Sequence, residues 1–283
     1  MSALIPVSPP YRLDRTLSCG QAFRWRWHNG TANGTFAGHR ITLTQGSDGI
    51  RVEGMHETHH LEALGRYLGA DEPLGTIEEA LCRDRVLRRI LPHTSGIALL
   101  RQDPWECLVS FIISAFNNIP KIELTLDRMC RRFGAVISPD VWAFPDPASL
   151  AAATLRELRT CALGYRAGYV RTVGRLVADG SVDLRGLDSL PYDDARLGLL
   201  ELPGVGDKVA DCVLLFAYGK GEAFPVDVWV KRALERWYFR RRMSEHGIRA
   251  FARTRFGPLA GYAQQHLYYF ARTHRRRRSR SIE

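Results

Sequence analysis

The stretch Leu202-Pro-Gly-Val-Gly-Asp-Lys208-Val-Ala-Asp-Cys212 carries the most chemistry in the sequence. Two glycines flank one apolar residue directly before an amphipathic run. Glycines tolerate positive φ and let a phosphate come close to the backbone. A helix that starts there offers unpaired N–H groups and the positive end of its dipole. Together they form an anion site that reads a phosphate backbone and not a base sequence. Gly204 and Gly206 could equally be an ordinary glycine-rich helix cap. The helical pattern of Asp193–Leu200 just before them favours a helix-hairpin-helix clamp on DNA. Lys208 falls in the first turn of the following helix. The dipole disfavours an ammonium there and favours the neutral amine needed for nucleophilic attack and Schiff-base formation. A lysine on a helix surface is otherwise simply solvated. About twenty residues on, Phe224-Pro-Val-Asp227-Val-Trp229 places a carboxylate before another apolar helix. Asp227 can cap that helix and also act as the electrostatic partner of a cationic transition state.

Two kinds of element must position these groups. Near period-two apolar spacing over Phe23–Trp27, Gly34–Gln45 and Gly49–Gly54 predicts short antiparallel strands. The turn signals between them are Asn29–Gly30, Asn33–Gly34 and Gly46–Gly49. From about His56 the apolar spacing changes to steps of three and four. This predicts helices over His60–Leu68, Ile77–Leu91, Asp103–Phe116, Ile119–Phe133 and Thr154–Ala162, then over residues 169–178, 192–200, 207–218, 226–239 and 258–272. The expected class is α+β, with a small antiparallel β-rich N-terminal domain followed by a mostly α-helical region.

The chain has 283 residues and a net charge of +10, unevenly placed. Residues 1–230 hold 25 Lys+Arg against 27 Asp+Glu, whereas residues 231–283 hold 15 against 3. The basic excess therefore sits in the last fifth, which suits a polyanion, nucleic acid before an anionic membrane surface. The run Arg275–Arg278 with Arg280 reads as a disordered basic tail that encodes no chemistry by itself. No apolar stretch reaches membrane-spanning length, and Met1–Pro10 lacks the pattern of a signal peptide. Six scattered cysteines without a CxxC pair fit free thiols in a reducing cytosol and argue against a zinc site or an iron–sulfur cluster.

Five further segments run in order with the hairpin and the Asp227 motif. Ser18-Cys-Gly20-Gln-Ala-Phe-Arg-Trp25 resembles SGQSFRW. Leu99-Leu-Arg-Gln-Asp-Pro-Trp-Glu-Cys-Leu108 resembles LLRQDPxECL. Ser110-Phe-Ile-Ile-Ser-Ala-Phe-Asn-Asn-Ile119 resembles SFICSxNNNI, Leu163-Gly-Tyr-Arg-Ala-Gly-Tyr169 resembles LGYRARY, and Gly261-Tyr-Ala-Gln264 resembles GWAQ. The set resembles the 8-oxoguanine DNA glycosylase family of the helix-hairpin-helix glycosylase superfamily. It implies a bifunctional repair enzyme that excises 8-oxoguanine, and formamidopyrimidine, from duplex DNA and then cuts the abasic site. Lys208 would attack C1′ and form the Schiff base, and Asp227 would be essential for catalysis. The Gly20 carbonyl would accept a hydrogen bond from N7–H of the lesion. Cys212 would lie beside the nucleophile, Gln264 would bind the Watson–Crick edge, and Tyr268 would offer a stacking face. Asn117, Asn118, Lys121, Tyr165 and Arg166 match the positions that fill the gap and hold the opposite cytosine. Read without the resemblance, Asn117, Asn118, Tyr165 and Arg166 are helix C-cap and loop residues.

Some positions depart from the pattern. The triple Asn is Phe116-Asn117-Asn118 here, the following Arg is Lys121 behind Pro120, and Trp229 stands where a phosphate-contacting His is usual. A weaker preference for cytosine opposite the lesion is expected. The resemblance implies a β-rich domain over residues 1–95, similar to the TATA-binding protein, a glycosylase region over 96–272 and a basic tail over 273–283. It implies no metal or organic cofactor, and it leads us to expect a monomer in the cytoplasm, associated with the nucleoid through DNA. Two rival readings stay open: a monofunctional alkylated-base glycosylase on the same fold, and a non-enzymatic DNA-binding protein.

Overall fold

The computed structural model describes residues 2–274; the arginine run from Arg275 lies outside them. The sheet is antiparallel, with β1 (Ala3–Ile5), β2 (Arg26–His28), β3 (Thr31–Phe36), β4 (His39–Gln45) and β5 (Ile50–Glu53) in the order β1-β5-β4-β3-β2. Two-residue turns join β2 to β3 and β3 to β4. Both residues of each turn, Asn29–Gly30 and Ala37–Gly38, have positive φ. This turn type matches the strand twist, and glycine makes its second position inexpensive. Asn33–Gly34, expected as a turn, instead lies inside β3. A side chain at Gly34 would meet the Trp25 ring at 2.5 Å, so the glycine there makes room for an indole.

The first helices are α1 (Leu13–Ser18), α2 (Thr58–Tyr67), α3 (Leu74–Leu81), α4 (Arg85–Thr94), α5 (Pro104–Ser114) and α6 (Ile119–Phe133). The single helix expected over 77–91 is two, because Asp84 stops one and caps the next. Its carboxylate accepts from the Val86 and Leu87 N–H groups, and Arg255 and Tyr238 bind it from the far end of the chain. After the short hairpin β6 (Val136–Ser138) and β7 (Val141–Trp142) come α7 (Pro147–Ala152), α8 (Leu155–Thr160), α9 (Arg166–Ala178), α10 (Tyr192–Leu200) and α11 (Asp207–Phe216). The last helices are α12 (Val228–Leu234), α13 (Glu245–Phe256) and α14 (Ala260–Thr273), and a π-helical turn over Glu235–Phe239 follows α12. Sheet and helices share one continuous apolar core. The α+β class is as expected from the sequence. Helix α11 packs on α5, and α14 packs on both α4 and α12. These pairings bring the hairpin, the Asp227 segment and the C-terminal helix together. Among the described residues no helix is long and apolar enough to cross a membrane.

Candidate active site and DNA-facing surface

The hairpin between α10 and α11 uses its two glycines differently. Gly204 has φ +83, and a Cβ there would strike the Tyr169 ring at 2.7 Å. Gly206 is extended and has nothing within 4 Å of a Cβ position. Thus only Gly204 needs the left-handed backbone, while Gly206 leaves open space in front of the helix end. The Ala210 N–H bonds back to the Gly206 carbonyl, so the N–H groups of Asp207, Lys208 and Val209 come before the helical ladder begins. Two acids lock the hairpin, partly exposed Asp207 and buried Asp211. Asp207 pairs with Arg196 and Arg249, and Asp211 accepts from Tyr192 Oη at 2.7 Å and Arg196 Nε at 3.0 Å. Burial pushes the Asp211 carboxyl up to about 6.

Lys208 projects from the first turn of α11 toward α5. Its Nζ donates to Ser114 Oγ at 2.9 Å and lies 4.8 Å from the centre of the Phe111 ring. Cys212 sits one turn further on, buried, and also faces the amine. Burial raises its thiol to about 12, against the pull of the Lys208 charge, so the sulfur is protonated and a poor nucleophile. Asp227 caps α12 as expected, with Oδ1 accepting from the Trp229 N–H at 3.0 Å and the Val230 N–H at 2.8 Å. Burial raises its carboxyl pKa. The two cap bonds and the Lys208 charge oppose that rise, so amine and carboxylate share one electrostatic field.

Gly20 comes to this cluster from the other end of the chain. Its φ is +85, and an added Cβ would meet Tyr268 Oη at 3.0 Å and Arg272 Nη1 at 3.3 Å. Three polar ties hold its segment. Arg272 donates to the Ser18 carbonyl at 2.6 Å, and Gln265 Nε2 donates to the Cys19 carbonyl at 3.0 Å. Buried Gln21 bonds to Thr16, Ala98 and Leu100. Gln264 and Tyr268 are one turn apart on α14 and therefore share a face. Gln264 is buried, and its Oε1 has no hydrogen-bond partner among the described residues. An unfilled buried amide oxygen costs free energy unless a ligand supplies a donor. Tyr268 is pushed up to about 12, mainly by burial and also by the nearby Asp227 and Cys19. Sequence reasoning missed Ser114, Gln265 and Arg272. Ser114 lies inside a quoted motif, but its role appears only when α5 meets α11. Two cavities, of 190 and 890 Å³, open elsewhere and are lined by none of these groups.

The loop between α5 and α6 projects from the surface beside Ser114. Phe116 is 100% exposed with φ +50. Buried Arg166 holds that backbone: its guanidinium donates to the carbonyls of Ala115 and Phe116. Asn117 Nδ2 donates to the Ile113 carbonyl at 3.1 Å, and Asn118 caps α6 by accepting from the Lys121 N–H. Tyr165 is exposed, stacked on its neighbour Arg166 and edge-on to Tyr169. Of the five residues matched to the gap and the opposite cytosine, Asn117, Asn118 and Arg166 thus have side chains engaged with their own backbone, while Tyr165 and Lys121 face outward.

A glycine hairpin between two helices, with a lysine just beyond it and an aspartate-capped helix closing over it, defines a helix-hairpin-helix protein with a reactive pocket. Residues 109–258 match the HhH-GPD superfamily of base excision DNA repair proteins, and residues 4–108 match the N-terminal domain of 8-oxoguanine DNA glycosylase. A probable N-glycosylase/DNA lyase of Methanothermobacter thermautotrophicus is 35% identical over 67% of this chain and 68% of its own. MBOgg1, solved with a low-affinity DNA ligand, superimposes with a TM-score of 0.92 at 32% identity, over 96% of this chain and 95% of that one. The 8-oxoguanine glycosylase/lyase of Clostridium acetobutylicum, solved with duplex DNA carrying cytosine opposite the lesion, gives 0.89 at 33% identity, over 94% and 93%. The chain belongs to the HhH-GPD superfamily of base excision DNA repair proteins.

Proposed function

We propose that this chain is a bifunctional DNA repair glycosylase that removes 8-oxoguanine, and formamidopyrimidines, from duplex DNA and then cleaves the abasic strand. The observation that carries the reading is Lys208 Nζ seated on Ser114 Oγ in the field of half-buried Asp227. The Lys208 ammonium passes a proton to the departing base, and the freed amine attacks C1′ as the glycosidic bond breaks. The C1′-bound nitrogen gives a proton to the ring oxygen as the sugar opens to a Schiff base, and loss of the C2′ proton to solvent then expels the 3′ phosphate by β-elimination. The Asp227 carboxylate stabilises the positive charge on the sugar as the base departs. Cys212, kept as a thiol, packs beside the amine without competing for C1′.

Lesion choice rests on the Gly20 carbonyl, which accepts from N7–H, a proton that guanine lacks. The unfilled Gln264 Oε1 accepts from the Watson–Crick edge, and Tyr268 offers its face. The N–H groups after Gly206 take a phosphate, and Tyr165 wedges the duplex from which the base is drawn. With the Arg166 and Asn117 side chains turned to their own backbone, few donors are left for the opposite cytosine. Discrimination at that position is therefore weak. The enzyme works as a monomer on nucleoid DNA in the cytoplasm. Its working divisions are 1–95, 96–272 and the basic tail from 273.

Duplexes carrying one 8-oxoguanine or one 3-methyladenine test the reading. Release of oxoguanine with strand scission supports it. Release of the alkylated base alone, with the strand intact, replaces it with a monofunctional enzyme. Binding without any release replaces it with a DNA-binding protein.

A further inference from the structure

A second cluster of chemistry-bearing side chains lies on elements that carry no part of the Lys208 site. The two-residue turn Ala37–Gly38 sets His39 as the first residue of β4, opposite Phe36. Glu57 stands at the N-cap of α2, but its side chain makes no cap bond. It turns instead toward His60, one turn into the helix, with Glu57 Oε2 3.7 Å from His60 Nδ1. The ligand atoms of His39, Glu57 and His60 all lie within 4.8 Å of one another. The His39 and His60 rings stand edge to face at 5.0 Å, and the His59 ring lies 4.0 Å from His60. His60 Nδ1 is buried with no hydrogen-bond partner among the described residues. A buried ring nitrogen 3.7 Å from a carboxylate oxygen, with no hydrogen bond of its own among the described residues, is suited to a cation. Glu57 Oε2 also accepts from the His56 N–H at 3.3 Å, which helps to hold the carboxylate on this side of the helix start.

The geometry points to a divalent-cation site of the zinc type, with His39, Glu57 and His60 as its three protein ligands. Two imidazoles and one carboxylate are a borderline donor set that suits zinc, and water completes the tetrahedron. Zinc–ligand bonds of about 2.0–2.2 Å separate tetrahedral ligands by roughly 3.5 Å. The Glu57–His60 pair is already near that spacing. The separations to His39 are at most 4.8 Å, so they must close by about 1 Å or less as side chains adjust around the ion. The ion would clip the β3–β4 hairpin to the start of α2, bridging residues far apart in sequence. It is structural in kind and supplies no step of base excision.

The full chain, stripped with EDTA and dialysed against zinc chloride, tests this. Wild type is expected to retain one zinc per chain with a Kd below about 10 µM, while His39→Gln and His60→Gln each weaken binding by about 10–100-fold. At zinc a hundredfold above Kd the wild-type melting midpoint should rise by about 5 °C, and that of the variants should not. Circular dichroism of the metal-free proteins separates loss of the site from loss of the fold. Where a glutamine variant is unfolded, Glu57→Gln takes its place. Failure of wild type to retain zinc overturns the proposal, and so does equal retention by folded His39→Gln and His60→Gln proteins.

Discussion

Replacing Gly20 with alanine adds one methyl group at the point where the lesion would be read. The backbone there has φ +85, and the new carbon would lie 3.0 Å from Tyr268 Oη, 3.1 Å from the Tyr268 ring and 3.3 Å from Arg272. Holding an L side chain in that conformation costs about 1–2 kcal/mol. The crowding adds to it, because Tyr268 and Arg272 are themselves packed against the Ser18–Gly20 segment. The segment relieves both by rotating its carbonyl away from the pocket. Losing one buried hydrogen bond to N7–H costs about 1–3 kcal/mol, a fall in kcat/KM of about 5- to 150-fold. Backbone strain should also lower the melting midpoint by about 5 °C. Single-turnover excision of 8-oxoguanine, compared with strand cleavage at a preformed abasic site, isolates the effect. Abasic cleavage has no base to recognise and should change less than threefold. Equal losses on both substrates would show that Gly20 is only a structural turn, and no loss on either would remove it from recognition.

Other perturbations probe separate parts of the account. Asp227→Asn should lower excision by at least about 100-fold while keeping DNA affinity, since the amide can still cap α12 but cannot stabilise a cation; a matching loss of binding would assign Asp227 to structure alone. Excision opposite each of the four bases should vary by less than about tenfold, and Phe116→Asn should raise the preference for cytosine by supplying a donor; strong wild-type discrimination would refute the reading of Arg166 and Asn117. Deleting residues 273–283 should flatten the salt dependence of binding and leave lesion preference unchanged, because phosphate neutralisation sets the slope. His266 is fully buried against Thr94 and held down to about 4, chiefly by burial. Its folded pKa lies below the unfolded one, so its contribution is present above the ordinary histidine range and is lost as pH falls toward 4. That contribution is about 3 kcal/mol, and His266→Gln should flatten the acid side of a pH–stability profile. An unchanged acid slope would mean that other groups set it.

The hairpin and its following helix were legible because glycine spacing and a helix start are local features. The Asp227 cap was legible for the same reason, and so were the long stripes of α6, α10 and α11. What escaped was mostly long-range. Asp84 splits the apolar run 77–91 by capping α4, and Arg255 and Tyr238 hold its buried carboxylate in place from the C-terminal part of the chain. Strand β1 is three residues long and exists by pairing with β5, and α13 carries too few buried positions to show a clear stripe. Ser114, Gln265 and Arg272 gain their roles only where distant helices meet, so no spacing rule could single them out. Phe116 shows the reverse case. Its departure from the family pattern was visible in the sequence, but its full exposure on a left-handed backbone depends on Arg166, fifty residues away.

The most direct test of the account is borohydride trapping on a duplex carrying one 8-oxoguanine. Wild type should form one covalent protein–DNA adduct, with Lys208 as the modified residue in peptide mass spectra, and Lys208→Gln should form none. An adduct mapped to another lysine, or base release by wild type without any adduct, would contradict the claim that Lys208 is the nucleophile.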